Sequence, residues 1–268
     1  MRRREFLASS LAASAATGSV TPAGTTGGGA SDQGKPEYYE LRQYRLRRGP
    51  QVKLTDDFLR EAALPAWKRL GIGPIGVFNT TIGSDAPTVY VLMPHPSPES
   101  VASTGARLLA DTEFLRAGAA FLNVPSTDPA YVRRESSLLV AFETFAKLEV
   151  PPAAAENRAR IFELRTYESH SEKAHLKKVE MFNNGEIAIF RRTGLRPVFF
   201  GRTLIGSKLP NLTYMVTFDD MAARDKNWAT FIADPEWKKL STAPGYTDGE
   251  IVSNISNALL APAPYSQI

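Results

Sequence analysis

The chain has 268 residues, of which 43% are hydrophobic and 22% are charged, so it has enough apolar material for a sizeable core and is not disordered as a whole. The formal net charge is +4, and Arg2, Arg3, Arg4 and Glu5 supply +2 of it, which leaves only +2 for all other residues. We therefore expect no nucleic-acid partner. The absence of cysteine excludes disulfide bonds and thiol chemistry.

Residues 1–34 form a segment of a different kind, in which Arg3 and Arg4 stand shortly before Phe6 and Leu7. A weakly apolar run rich in alanine and serine follows, and then a glycine-rich stretch typical of a flexible linker. This order resembles a twin-arginine signal peptide, so we expect export by the twin-arginine route to the periplasm or the extracellular space. The alternative is a disordered basic N-terminus of a cytoplasmic protein. No other segment is long and apolar enough to cross a bilayer, and we expect no stable membrane insertion.

The next part of the chain predicts a strand, a helix, a hairpin, a helix and a strand, in that order. Alternating apolar and polar residues predict a strand over 37–47, and apolar residues at helical spacing predict a helix over 52–70, kinked at Pro65. The segments GPIGVFNTTIG and TVYVLM, joined by GSDAP, predict a hairpin. Ser97 followed by Pro98 indicates a helix start, and SSLLVAFETF predicts a closing strand. The order βαββαβ is that of a ferredoxin-like unit.

The pentapeptide ELRQY, which begins at Glu40, recurs as ELRTY from Glu163, 123 residues later. Further identities occur at that same offset without a gap, and they include Arg69 with Arg192, Gly71 with Gly194, Pro74 with Pro197, Gly83 with Gly206, Pro87 with Pro210, and Asp111 with Asp234. Matched blocks in one order at one offset predict two structural copies of a single unit.

The repeat divides the chain into a signal peptide and flexible linker (1–34), a first ferredoxin-like domain (35–148), a linker rich in proline and alanine (149–158) and a second such domain (159–268). A ferredoxin-like unit covers one face of its sheet with helices and leaves the other face bare. We therefore predict an α+β fold in which the two units pack sheet to sheet. Each sheet then has its partner within one chain, which is compatible with a monomer or a homo-dimer.

Four passages carry a resemblance to a known family: the opening YELRQY, the helix-to-strand passage PAWKRLGIGPIGVF, the helical DPEW and the ending NALLAPAPYS. Over nearly all of residues 38–266, and in both copies, the chain resembles the NIPSNAP family. The resemblance implies a pseudo-dimeric α/β barrel. The wider group with this barrel includes cofactor-free monooxygenases and haem enzymes, so the resemblance leaves the chemistry open and implies no catalytic residue. An exported member departs from the mitochondrial and vesicular roles discussed for animal members.

The first strands of the two copies carry equivalent charged and aromatic side chains, which are Glu40, Arg42, Tyr44, Glu163, Arg165 and Tyr167. The apolar Tyr39 and Leu41 alternate with the first three, and we expect this apolar set to face the helices. The six polar side chains would then face the space between the two sheets. Residues i and i+2 on one face are close enough to pair, so we predict the ion pairs Glu40–Arg42 and Glu163–Arg165. Structural ion pairs and a ligand-contacting set are both compatible with this pattern.

Other patterns indicate structure more than chemistry. GIGPIG follows a helix and opens a strand, the reverse of a dinucleotide loop, so Gly71 is predicted to cap the helix. His170 and His175 stand five residues apart and would face different sides of a helix, and we expect no metal site and no cofactor. His95 is predicted to be a loop residue. Three tryptophans at helical spacing are expected in the core, namely Trp67, Trp228 and Trp237.

Two hypotheses about function follow. The first is a non-enzymatic protein that binds a small aromatic or carboxylate-bearing molecule between its two sheets. Arg42 and Arg165 would anchor an anion there, and Tyr44 and Tyr167 would form walls. The alternative is a cofactor-free monooxygenase-like enzyme of the same barrel group. No histidine or acid is repeated in a way that suggests proton transfer, so we assign no catalytic residue and favour binding.

Overall fold

The structure is a computed structural model, which describes residues 34–83, 87–156 and 158–268. The predicted twin-arginine signal and most of the GSDAP turn lie outside the described residues. In the described part of the chain, no helix is both long enough and apolar enough to cross a membrane.

The first copy contains the elements β1 (Tyr38–Arg45), α1 (Pro50–Phe58), a π-helical turn (Leu59–Ala63), α2 (Leu64–Arg69), β2 (Gly76–Ile82), β3 (Thr88–His95), α3 (Pro98–Leu109), α4 (Thr112–Ala117), α5 (Ala119–Leu122) and β4 (Arg133–Ala141). The joining segment contains α6 (Pro152–Ala155). The second copy contains β5 (Ile161–Glu168), α7 (Glu172–Met181), a π-helical turn (Phe182–Glu186), α8 (Ile187–Arg192), β6 (Arg196–Ile205), β7 (Asn211–Phe218), α9 (Met221–Ala233), α10 (Pro235–Ser241), α11 (Asp248–Ile251) and β8 (Asn254–Pro262). Each copy is the expected ferredoxin-like unit.

The eight strands form one closed antiparallel barrel in the order β1-β3-β2-β8-β5-β7-β6-β4. Pairing of β2 with β8 and of β4 with β6 joins the two copies. The predicted α+β fold, with two tandem units closed into a pseudo-dimeric α/β barrel, is therefore confirmed. The closure occurs within a single chain, because each copy supplies the partner for the bare sheet face of the other.

The interior of the barrel is an apolar core built from both copies, which contains Tyr39, Leu41, Phe78, Leu92, Leu139, Ala141, Phe162, Leu164, Val198, Phe199, Met215, Leu260 and Ile268. The predicted orientation of the first strands is therefore wrong. Tyr39 and Leu41 face the barrel interior, and the ion-pair residues Glu40, Arg42, Glu163 and Arg165 face outwards beneath the helices. The physical reason is that apolar side chains of both copies fill the middle of the barrel, where these charges would lack partners.

The helices cover the outer face of the barrel as two further cores, one for each copy. Asp111 caps α4 and forms an ion pair with Arg69. In the same way, Asp234 caps α10 and forms an ion pair with Arg192. These matched contacts show that the offset of 123 residues holds through the helices. Gly71 has a φ angle of 75° directly after α2, as expected for a helix cap.

The offset changes in the last strand of each copy. Arg42 in β1 pairs with Ser136 in β4, whereas Arg165 in β5 pairs with Asn257 in β8, so equivalent residues there stand 121 positions apart. By the same register Arg134 corresponds to Ile255, because they pair with the two equivalent tyrosines of β1 and β5. The two copies can therefore be compared residue by residue.

Candidate functional site

The structure contains the predicted ion pair of the first copy, on the outer face of β1. The Nε and Nη2 atoms of Arg42 lie 2.9 and 2.8 Å from Oε1 of Glu40. The hydroxyl of Ser136 donates a hydrogen bond of 2.7 Å to the same oxygen, and Arg42 also donates one of 3.3 Å to the Tyr44 hydroxyl. Among the described residues no group donates to the second oxygen of Glu40, Oε2, although the residue is only 5% exposed. This second oxygen is not fully buried, so solvent or a ligand can reach it.

In the second copy both carboxylate oxygens of the equivalent glutamate have partners, although Nε of Arg165 has none among the described residues. Arg165 donates a hydrogen bond of 2.8 Å to Oε1 of Glu163, and Asn257 donates one of 3.1 Å to the same atom. Two residues of α9 complete the set: Arg224 donates from Nε to Oε2 at 2.7 Å, and Trp228 donates from its indole Nε1 to Oε2 at 2.9 Å. Glu163 therefore has partners on both oxygens.

Electrostatics favour the charged forms of Glu163, Arg42 and Arg165. Burial acts to raise the pKa of Glu163, but hydrogen bonds from Arg224 and the charge of Arg165 outweigh it, and the pKa lies below its usual value. Burial acts to lower the pKa of Arg42, but the Tyr44 hydroxyl and the Glu40 carboxylate outweigh it, and the pKa is raised. Both arginines therefore remain cations over the physiological range.

The copies differ most at the helix above the pair. The indole of Trp228 lies over the guanidinium of Arg165, with 4.8 Å from the guanidinium carbon to the ring centroid. At the equivalent position α3 has Gly105, where an added Cβ atom would meet no other atom within 4 Å. In place of Arg224 the first copy has Val101. The space that α9 fills in the second copy is consequently open in the first.

This open space is a cavity of about 480 Å³ between β1, β4 and the helices of the first copy, which we call the first-copy pocket. Aromatic side chains form much of its wall: Tyr44, Phe58, Trp67, Phe114, Phe121 and Tyr131. The Phe58 and Phe121 rings stack at 4.0 Å, and the guanidinium of Arg42 lies 5.6 Å from the Trp67 ring centroid. Arg42 and Tyr44, both predicted site residues, therefore lie in the wall of a cavity, but one beneath the helices and not between the sheets.

Two hydrogen-bond donors of the first-copy pocket have no acceptor among the described residues. Trp67 is 1% exposed, and its indole Nε1–H is buried without a partner. Arg134 lies in the pocket wall and makes no hydrogen bond or ion pair within the described part of the chain. The second copy has Phe190 and Ile255 at these positions, neither of which has a polar side chain. Arg134 is solvent-exposed, and the second copy has its own buried donor without a partner at Nε of Arg165, so the difference between the copies lies in the open cavity and the cation in its wall.

The second copy has a buried ion pair where the first has small side chains. Lys178 and Glu186 are each 1% exposed, with 3.2 Å between Nζ and Oε2, and the ammonium group lies 5.3 Å from the Tyr167 ring centroid. The equivalent residues of the first copy are Thr55 and Ala63. Tyr167 is therefore packed against side chains of its own copy.

His95 differs from its sequence prediction. It is the last residue of β3 and is 1% exposed, so it is not a loop residue. Its Nδ1 lies 3.0 Å from the Ser100 hydroxyl in α3, and its Nε2 has no partner among the described residues. Burial lowers the pKa of His95, and the charge of Arg42 adds to this effect against that of Glu40. A neutral histidine therefore lies on the same sheet face as the first-copy pair.

The space between the sheets offers little room for a ligand. Beside the apolar core it contains a cavity of about 140 Å³ at one end of the barrel, whose polar wall includes Gln43, Ser137, Thr166, Thr203, Asn211 and Thr213. No cluster of three or more histidine, aspartate or glutamate side chains that could hold a metal ion occurs within the residues that the structure describes. The first-copy pocket is the larger of these two cavities, and its wall includes two of the six predicted site residues, Arg42 and Tyr44.

Sequence reasoning placed Trp67 and Trp228 in the core and overlooked Gly105 and Arg134. The repeat contained a signal for Gly105 and Trp228, because a glycine in one copy at the position of a tryptophan in the other means that the equivalent sites differ in volume. Arg134 could not be matched from the sequence, since the change of offset before β4 and β8 is visible only in the strand pairing.

Comparison with known proteins agrees with this fold. No curated protein matches the chain. An uncharacterized NIPSNAP-like domain protein from Burkholderia xenovorans is 24% identical, with a TM-score of 0.37 over 41% of this chain and 90% of that chain. Two proteins named "putative monooxygenase", from Fusobacterium nucleatum and Lactobacillus acidophilus, have TM-scores of 0.54 at 9% and 10% identity, over 85% of this chain and 93% and 94% of theirs. These similarities concern the fold alone.

The family itself is shown by the sequence. The model of the family described as NIPSNAP matches residues 39–142 and again residues 162–267, which are the two copies of the repeat. The two matches together cover most of the chain and coincide with the two halves of the barrel. The chain therefore belongs to the NIPSNAP family and contains two copies of its domain.

Proposed function

We propose that this NIPSNAP-family protein binds a small aromatic acid in the first-copy pocket and does not act on it chemically. The observation that carries the proposal is an open cavity of about 480 Å³ whose wall combines aromatic rings with one cation, Arg134, which is solvent-exposed and makes no ion pair with the described residues. Cavities of roughly 300–1,000 Å³ with mostly apolar walls and a few polar groups are typical of small-molecule sites.

Each part of the wall matches a part of such a ligand. Rings at the sides favour a flat aromatic group, by stacking and edge-to-face contact. Arg134 offers a planar guanidinium to a carboxylate, which it can bind through two hydrogen bonds. The Trp67 ring forms another part of the apolar wall. Arg42 is already paired with Glu40, so its guanidinium serves as a flat surface for the ring.

This proposal changes the predicted site in two ways. The ligand lies beneath the helices of one copy, since an apolar core fills most of the space between the sheets. Three of the predicted site residues act as structural residues, namely Glu163, Arg165 and Tyr167. Other side chains of the second copy already fill the space around them and bind the carboxylate of Glu163. The anion anchor is Arg134 instead of Arg42 and Arg165.

The test uses 1-naphthaleneacetate as the probe and isothermal titration calorimetry as the measurement. The second copy suggests the variants: Arg134→Ile should weaken binding about 10- to 100-fold, as for a lost charge-assisted hydrogen bond, and Trp67→Phe about 3- to 10-fold. Arg133→Ile is the control, because Arg133 precedes Arg134 on the strand and its side chain points to the opposite face. Absence of binding to the unmodified protein, or equal effects of Arg133→Ile and Arg134→Ile, would refute the proposal.

A second candidate is a cofactor-free monooxygenase-like enzyme of the same barrel group. Two observations favour it: the buried His95 with its unpartnered Nε2, and the fold shared with proteins named as monooxygenases. Such a reaction would insert one oxygen atom of O2 into an electron-rich ring system and release the other as water, with two electrons and two protons from the substrate. Oxygen uptake with quinol-type substrates, lost in His95→Phe, would establish it in place of binding alone.

We also propose that the protein is exported by the twin-arginine route. The support is the order of Arg3, Arg4, Phe6 and Leu7 before a weakly apolar run. Replacement of Arg3 and Arg4 by lysine should retain the precursor in the cytoplasm, as measured by cell fractionation. Unchanged export of the variant would exclude this route.

A further inference from the structure

In the second copy an aromatic side chain of the protein itself binds the ion pair of β5. The Trp228 side chain reaches from α9 to β5, places its ring on the guanidinium of Arg165 and donates its N–H to Oε2 of Glu163. The contact combines ring stacking with a hydrogen bond to a buried carboxylate, which is how an indole-like ligand would bind this pair of residues.

The first copy has the equivalent glutamate and arginine but no tryptophan on the helix above them, where Gly105 takes the place of Trp228. Arg42 and Glu40 are paired as Arg165 and Glu163 are, and Ser136 donates to Glu40 as Asn257 does to Glu163. The difference lies at Oε2: Glu163 accepts hydrogen bonds there from Trp228 and Arg224, whereas Oε2 of Glu40 accepts none from the described residues.

We infer that the ligand of the first-copy pocket is a planar aromatic acid with a ring N–H or hydroxyl donor, whose ring lies over Arg42 and whose donor extends past the pocket wall to Oε2 of Glu40, in the pose that Trp228 adopts in the second copy. This inference rests on the proposed function and specifies its ligand. The acidic group of the ligand lies at Arg134, which the second copy does not need because its ring belongs to the chain. The ligand thus carries a donor at one end and an anion at the other.

Discrimination follows from the buried carboxylate. A ligand that covers Glu40 with a carbon atom would leave Oε2 desolvated and unpaired, whereas an N–H would satisfy it. We therefore expect an aromatic acid with the donor to bind roughly 10- to 100-fold more tightly than an equally large one without it. Charge is the same and ring size is similar in such a comparison, so the hydrogen bond is the main difference between the acids.

The experiment compares three acids by titration calorimetry with the full chain: indole-3-acetate, 1-methylindole-3-acetate and 1-naphthaleneacetate. Indole-3-acetate should bind most tightly, and the other two more weakly by the factor given above. Equal affinities for all three would overturn this inference and leave the proposed function intact. No binding of any of the three would refute the proposed function, and the inference with it.

A variant of the second copy tests whether the contacts of Trp228 describe how an aromatic ligand binds. Trp228→Gly gives the second copy the residue that the first has at Gly105, and indole should then fill the vacated space and raise the unfolding temperature of the variant. Indole should have a larger effect than 1-methylindole, because only indole can donate to Glu163. An equal effect of the two would show that the hydrogen bond does not select the aromatic group. If this variant does not fold, the comparison of the three acids still decides the inference.

Discussion

The indole of Trp228 lies over the guanidinium of Arg165 at 4.8 Å, and α3 of the first copy has a glycine where this tryptophan stands. The two halves of the barrel share a fold, matched helix caps and matched ion pairs. A single large side chain above the ion pair is therefore the main reason why one copy is closed and the other has an open pocket.

Filling the pocket should abolish binding. In Gly105→Trp the new indole would occupy the first-copy pocket as Trp228 occupies its equivalent, and an added Cβ atom at this position has open space. We expect loss of 1-naphthaleneacetate binding in calorimetry without loss of stability, since glycine within a helix costs about 0.5–1 kcal/mol relative to alanine. Gly105→Ala is the control, and it should keep the affinity of the unmodified protein. Full affinity of Gly105→Trp would place the ligand elsewhere.

Neutralising the two equivalent glutamates should have unequal effects on stability. Glu163→Gln leaves two arginines, Arg165 and Arg224, around a neutral amide, and we expect it to lower the free energy of unfolding by about 3 kcal/mol, the lower end for a broken buried pair. Glu40→Gln affects one arginine and should cost about 1.5 kcal/mol. Urea unfolding followed by circular dichroism measures both. Equal costs would show that the additional partners of Glu163 contribute nothing.

His95 should make the protein sensitive to acid. Because burial holds the pKa of His95 below its unfolded value of 6.5, the unfolded chain binds more protons than the folded chain below about pH 6.5. The free energy of unfolding should therefore decrease as the pH falls from 6.5, by at most about 1.4 kcal/mol per pH unit for this group. His95→Phe, which places there the residue of the second copy, should reduce the slope.

A second histidine limits how far that slope can fall. Burial also lowers the pKa of His175, so it contributes in the same direction, and part of the slope should remain in His95→Phe. Chemical unfolding at a series of pH values between 5 and 8 provides the comparison, a range set by the usual titration of histidine. An unchanged slope in His95→Phe would mean that folding does not lower the pKa of His95.

The buried pair of the second copy should couple strongly to pH when it is broken. Lys178→Met removes the cation beside Glu186, a carboxyl whose pKa burial already holds above its unfolded value of 4.5. We expect a loss of about 3–5 kcal/mol near neutral pH. Because only the unfolded chain releases the Glu186 proton just above pH 4.5, the stability of the variant should fall as the pH rises from there.

The double variant Lys178→Met with Glu186→Gln is the control for this prediction. It contains no buried carboxyl at the position, so its stability should not fall with rising pH through this group, and part of the lost free energy should return. If the single and double variants have the same pH dependence, another group dominates the titration.

The sequence by itself determined the repeat, the family and the ion pairs. A constant offset of 123 residues and the recurrent ELRQY and ELRTY motifs indicated two equivalent units, and each such unit has a bare sheet face that only the other can cover. Pairing between residues i and i+2, as in Glu40 with Arg42, follows from strand geometry and needs no tertiary information.

Only the tertiary structure decided which face of β1 and β5 lies inside the barrel, and therefore where the site is. Strand alternation tells which residues share a face, but both faces of these strands are covered, and either set could have been placed inside. Which copy has the pocket was likewise decided in three dimensions, because Gly105, Trp67 and Arg134 are far apart in the chain and meet only where α2 and α3 pack on β1 and β4. Folding brings these three residues to the wall of one cavity, and no local pattern in the sequence predicts that they are neighbours.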